Sequence, residues 1–181
     1  MSEEMVRQCA PTLAGIKTGS LFPCPCSSRE ALLARCGSST AACRPRACAC
    51  CPSALRRAAP CCTSTAPPPC AAISATSWPG MLAEAGYDGG KLRALCGHPD
   101  PPLAAGRDFP HEIGLFLSYP PEDVRGFVEN HACNYKCAGL WKVYGDEHRA
   151  QRLFTRFKRC TDTYYRLWQA GATIEQLAVA G

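Results

Sequence analysis

The sequence predicts an α+β fold in a single domain, a mixed sheet with packed helices and a long C-terminal helix. Three observations predict it. A length of 181 residues suits one domain with its own core. Between Asp108 and Asp146, short apolar runs alternate with one helix-type stretch. From Asp146 onward, apolar residues recur at three- and four-residue steps for several turns.

Residues 1–35 form the N-terminal part of the domain. Leu13 to Phe22 has β-type character interrupted by Gly15 and Gly19, which predicts a bent strand or a hairpin. Ser27 and Glu30 stand at capping-box spacing before Ala31, Leu32 and Leu33, so a helix starts there.

Residues 36–80 have a different composition. Eight of the fifteen cysteines lie from Cys36 to Cys70, and no Asp or Glu occurs from Ala31 to Ala83. Val, Tyr, Phe and Lys are missing from Cys36 to Gly80. Three readings are open. A disulfide or metal module would use Cys48, Cys50, Cys51, Cys61 and Cys62, but the segment has no histidine and no repeated C-x-x-C pair. A natural linker fits the Pro, Ala and Ser content, although linkers are seldom so rich in cysteine. The third reading is a shifted translation frame, and the genetic code tests it. Read from the third base of each codon, the Cys61–Cys62 junction must encode Leu, and Pro60 to Pro67 permits L-L-Y-V-Y-R-P. Ala49 to Ser53 permits V-L-P-L, with its Leu at Cys50–Cys51 forced. Ile73 to Pro79 permits L-R-D-E-L-A, which restores the missing acids. The shifted frame accounts for most of these observations. It predicts a middle segment that is unstructured, open to proteolysis and without chemistry of its own.

Residues 81–181 form the C-terminal part. Met81 to Ala85 and Lys91 to Leu95 read as helical turns, and Gly97 to Gly106 as loop. After the turn at Phe109-Pro110, the apolar run Ile113 to Leu117 is long enough for one buried strand. Pro121 suits the first turn of a helix, with Glu122 and Asp123 near its positive end. Val124, Phe127 and Val128 make its apolar face, and Asn130 stops it. A second strand is expected over Leu140 to Tyr144. Asp146 caps the long helix, whose buried face is Ala150, Leu153, Phe154, Phe157, Thr161, Tyr164 and Trp168. Gly171 ends it, and Thr173 with Gln176 opens a short final helix carrying Ile174 and Leu177.

The strings FPHEIGLFL and YPPEDVRGF, followed by NYKC, Gly139 and WKVYGD, resemble the bacterial domain-of-unknown-function family 3793, as does CAPTLAGIKTGSLF from Cys9 to Phe22. The resemblance covers roughly residues 6–35 and 81–181. It implies the mixed sheet with packed helices, and no activity or cofactor comes with it. Relatives carry further cysteines at the positions of Tyr135 and Leu140.

Composition bounds the function. No apolar run approaches the ~18 residues of a membrane span. The acidic start MSEEMVRQ lacks the apolar region of a secretory signal, which points to the cytoplasm. Arg44, Arg46, Arg56 and Arg57 supply four of the formal net charge of +5, so the basic balance gives little support to a nucleic-acid partner.

The candidate chemistry is sparse. His111 beside Glu112 could act as an acid–base pair, and Cys9 as a thiol nucleophile, although each is better explained as a structural residue. His131, Cys133, Cys137 and Cys160 are soft ligands, but they fall short of a persuasive zinc set, and no metal is assigned. Lys17 follows a glycine turn without the P-loop pattern. Arg149, Arg152, Arg156 and Arg159 form a stripe, with Lys142 and Tyr144 just upstream. The leading expectation is a cytoplasmic binding protein for a small anionic or cofactor-like ligand, using Lys17, Lys142, Tyr144 and the arginines. An enzyme using Cys9, His111 and Glu112, or a partner-binding scaffold, are the alternatives. Convergence of the arginines on a cleft favours binding, and Cys9 within reach of His111 in a pocket favours catalysis.

Overall fold

A computed structural model describes residues 2–23, 30–31, 34, 49–53, 61–65, 111 and 113–178. In chain order the elements are α1 (Ser2–Leu13), β1 (Gly19–Pro23), β2 (Ala49–Ser53), β3 (Cys61–Thr65), α2 (Ile113–Phe116), α3 (Pro121–Glu129), β4 (Cys137–Ala138), β5 (Lys142–Val143), α4 (Glu147–Gln169) and α5 (Ile174–Leu177). Helices with small antiparallel sheets are consistent with α+β, but the expected mixed sheet does not appear among the described residues, where every strand pair is antiparallel.

The sequence reading assigns no helix before Ser27, yet α1 fills the N-terminus. Glu3 and Glu4 sit in its first turn, where the helix dipole favours acids. Met5, Val6, Cys9 and Leu13 form its buried side. Pro11 lies inside the last turn and obscures the pattern in the sequence. Gly15, at φ 67°, lets the chain turn out of the helix. The expected strand over 13–22 therefore shortens to β1. There Ser20 and Phe22 are buried while Leu21 is half-buried on the other face. Ser20 Oγ and Thr12 Oγ1 lie 2.9 Å apart in a buried hydrogen bond that ties β1 to α1.

A three-stranded antiparallel sheet has the order β1-β3-β2, with Gly19 opposite Thr65 and Ala49 also opposite Thr65. Two of its strands lie inside the stretch expected to be unstructured, and that expectation is amended for those ten residues. A ladder is built from backbone N–H and C=O groups, so it needs no regular side-chain pattern to form. The rest of 36–80 lies outside the described residues, as do Ser27, Met81 to Ala85 and Lys91 to Leu95.

The run Ile113 to Leu117, expected as a strand, is the short helix α2 followed by a turn. A five-residue apolar run carries no period that separates the two. Ser118, at φ 61°, reverses the chain, and its Oγ accepts from Thr18 N at 2.8 Å. α3 begins as expected, with Pro121 in the first turn and Asn130 as its C-cap. Its buried residues are Asp123, Val124 and Gly126, while Val128 is exposed, unlike its expected place on the apolar face. The strand expected over Leu140 to Tyr144 reduces to the two residues of β5, paired with β4.

The long helix α4 follows the sequence closely. Asp146 Oδ1 accepts from Arg149 N at 2.9 Å. Gly171, at φ 97°, closes the helix, with Gly171 N donating to Trp168 O and Ala172 N to Leu167 O. Thr173 and Gln176 make the expected reciprocal capping box.

Two apolar clusters hold the fold, and α4 serves both. In the first, Met5, Val6, Cys9 and Leu13 of α1 pack with Phe22, Ile174, Leu177 and Ala178, against Tyr164 and Trp168. In the second, Trp141, Val143, Ala150 and Phe157 pack with Ile16, Tyr119, Leu153 and Phe154. Residues before position 23 and after position 113 therefore meet in both clusters. At its edge the Arg7 guanidinium lies 3.9 Å over the Tyr165 ring, and Tyr165 Oη donates to Glu3 at 3.2 Å.

Candidate functional site

A cavity of about 490 Å³ lies between α2, α3 and the β4–β5 hairpin. This is within the range of small-molecule sites, ~300–1,000 Å³. Leu21 reaches it from β1, because alternation sends Phe22 into the first cluster and Leu21 to the opposite face. Gly114, Leu117 and Tyr119 come from α2 and its turn, and Val124 and Phe127 from α3. Leu140, Trp141 and Lys142 complete the hairpin wall. Most of the surface is apolar. The ionisable side chains at it are His111, Asp123, Lys142 and Tyr119.

Asp123 holds the site together. It is 3% exposed, and its two oxygens accept three N–H groups. Trp141 Nε1 donates to Oδ2 at 2.7 Å, and Tyr144 N and Gly145 N each donate to Oδ1 at 2.8 Å. One carboxylate thus fixes the Trp141 ring and the chain entering α4, while sitting in the first turn of α3. Trp141 stacks on Tyr119 with centroids 4.7 Å apart and meets Phe154 edge-on at 4.5 Å. Burial raises the Tyr119 hydroxyl pKa, which keeps it neutral and able to donate.

Lys142 Nζ donates to Ala132 O at 2.7 Å and lies 4.7 Å from the Tyr135 ring centroid. The loop that supplies these partners has His131, Ala132 and Asn134 at positive φ. His111 is exposed and packs its ring 4.8 Å from Phe127. Two cationic or protonatable groups therefore flank one apolar cavity.

The other sequence candidates fall elsewhere. Cys9 is buried in the first cluster and does not line the cavity, so His111 and Cys9 are not gathered in its wall. Glu112 lies outside the described residues. Lys17 packs by the rings of Tyr119 and Phe157, at 5.6 and 5.9 Å, and burial pushes its pKa down. The Tyr144 ring lies against Gly126, and its hydroxyl is buried without a hydrogen-bond partner among the described residues. Arg149 pairs with Glu122 at 3.4 Å on the surface. Arg152, Arg156 and Arg159 are exposed on α4, and none of the four arginines lines the cavity. Cys133 is exposed, Cys137 and Cys160 are half-buried, and all three are free thiols. Among the described residues no three His, Cys, Asp or Glu side chains are grouped to hold a metal ion.

Sequence reasoning missed Asp123 and Trp141. Asp123 reads as an ordinary acid of a helix start, and Trp141 as one residue of an apolar run. No spacing links them, because their contact is made across the turn between α3 and the hairpin.

The profile of the family described as protein of unknown function, DUF3793, matches residues 71–178. The chain belongs to the DUF3793 family. The matched span includes every described cavity residue except Leu21. It begins at residue 71, inside the middle segment, whereas the motifs read from the sequence resume at 81. The similar stretch from Cys9 to Phe22 lies outside it. No curated protein and no solved structure matches this DUF3793 chain. No described helix is long and apolar enough to cross a membrane.

Proposed function

We propose that this DUF3793 protein is a bacterial, cytoplasmic binding protein that takes a small anionic ligand in the cavity between α3 and the β4–β5 hairpin. One observation carries the reading, the placement of Lys142 and His111 at a cavity whose remaining wall is mostly apolar. Apolar surface supplies affinity through its burial, and a few polar groups orient the ligand. The arginine stripe adds nothing here, since it faces solvent. The enzyme alternative loses support because Cys9 is absent from the cavity wall. A panel of small organic acids and their neutral amides, scanned for a rise in Tm, tests the reading. A ligand held at a hundred times its Kd stabilises by about 2.7 kcal/mol. The expected result is a saturable rise with at least one acid, lost in Lys142→Met. A panel in which no compound raises Tm would overturn it.

We also infer that residues 36–70, ahead of the span that matches the family as written, are read out of frame, so that functional meaning lies in the flanks. Support comes from where β2 and β3 fall. They occupy Ala49–Ser53 and Cys61–Thr65, within the two stretches whose shifted frame permits V-L-P-L and L-L-Y-V-Y-R-P. The second string suits the central strand β3, and the first, with its proline, suits the edge strand β2. Resequencing the source DNA should show one base more near codon 36, and one fewer before codon 71, than this sequence implies. Confirmation of the present reading frame would refute this inference.

A further inference from the structure

We propose that the ligand of this cavity is a hydrophobic monocarboxylate rather than a phosphate ester or a nucleotide. The proposal rests on the binding reading above and deepens it. The first argument is the supply of donors. Lys142 Nζ already gives one hydrogen bond to Ala132 O and lies against the Tyr135 ring, so it has protons left for one acid group. Phosphates are usually held by several backbone N–H groups at a helix start or by a guanidinium fork. Here Glu122 and Asp123 already occupy the first turn of α3, and Asp146 caps α4. The arginines of α4 do not reach the cavity.

The second argument is the sign of the wall. The Asp123 carboxylate lines the same cavity as Lys142 and His111. A second negative charge on the ligand would face it in a partly dehydrated space, where like charges repel more strongly than in water. One acid group near Lys142 avoids this. The third argument is the lining itself. Leu117, Val124, Phe127, Leu140 and Trp141 offer apolar surface to a ligand body, and Leu140 is 55% exposed at the rim. Closing that surface over an aliphatic or aryl body removes it from water.

Calorimetric titration of the full chain with three matched probes tests the proposal. The probes are 2-naphthoate, 2-naphthalenemethanol and 2-naphthyl phosphate. Naphthoate should bind one per chain and at least ~10-fold more tightly than either other probe. Lys142→Met should abolish the preference for the acid over the alcohol. If the phosphate binds as tightly as the acid, or the alcohol does, the monocarboxylate assignment fails while the cavity still binds ligand. If none of the three binds, the binding reading falls with it.

Discussion

Asp123→Ala is expected to cost about 3 kcal/mol or more of stability, a large part of the ~5–15 kcal/mol that holds a domain folded. Removing the carboxylate leaves three N–H groups without their acceptor, those of the Trp141 indole, Tyr144 and Gly145. Each buried donor left unpaired costs roughly 1–3 kcal/mol. The two backbone donors are half-buried, so water recovers part of their loss. Asp123→Asn separates the contributions. Its oxygen can still accept from both backbone N–H groups, but its NH2 then faces the Trp141 N–H. The variant should be milder than Ala, and the residual cost should shrink in a Trp141→Phe background, where the opposing donor is gone. Urea unfolding of the four proteins measures the cycle. A cost below ~1 kcal/mol for Asp123→Ala would show that the carboxylate does not hold the hairpin to α3.

Gly126→Ala carries the second large effect, and its sign runs against helix propensity. In a solvated helix the change gains about 1 kcal/mol. Here an added Cβ would lie 2.4 Å from Tyr144 Cγ and 2.5 Å from its Cβ. Those atoms are close to the main chain, and the Tyr144 N–H is fixed on Asp123, so no flexible tip can swing aside. Either α3 or the hairpin must move, and overpacking of this kind costs roughly 1–3 kcal/mol. The expected net result is destabilisation with a disturbed cavity wall, since Phe127 and Lys142 sit on the two moved elements. Arg125→Ala, one residue away and exposed, should be nearly neutral. A Gly126→Ala protein as stable as its parent would mean that α3 and Tyr144 are not packed this closely.

The parts of the fold legible in the sequence are those written by neighbouring residues. Asp146, Gly171 and the Thr173–Gln176 pair mark helix ends through contacts within a turn, and all of them occur as read. Pro121 and Asn130 bound α3 for the same reason. Elements whose nature depends on distant partners were misread. The run after His111 turned helical where a strand was expected, because its burial against α3 is set by tertiary packing. α1 was hidden by Pro11 and by the small residues Ala10 and Thr12, which are buried only because α4 and β1 lie beside them. The cavity was half legible. His111 is legible as half of a pair with Glu112, and Lys142 as a neighbour of the arginine stripe. Leu21, Val124 and Trp141 are not legible as lining, since the wall is gathered from segments a hundred residues apart in one case. The arginine stripe was conspicuous in the sequence because charge is easy to see there. Its exposure depends on which face α4 turns to the core.

Hydrogen exchange, followed residue by residue on the full chain, tests most directly whether the two flanks form one body. Cys9 and Leu13 of α1 share a core with Tyr164 and Trp168 of α4, and Ala10 between them is buried. Amides of Cys9, Ala10 and Leu13 should therefore exchange through the same opening, with the same free energy, as those of Phe157, Thr161 and Tyr164. Rapid exchange throughout α1 while α4 stays protected would contradict the shared core.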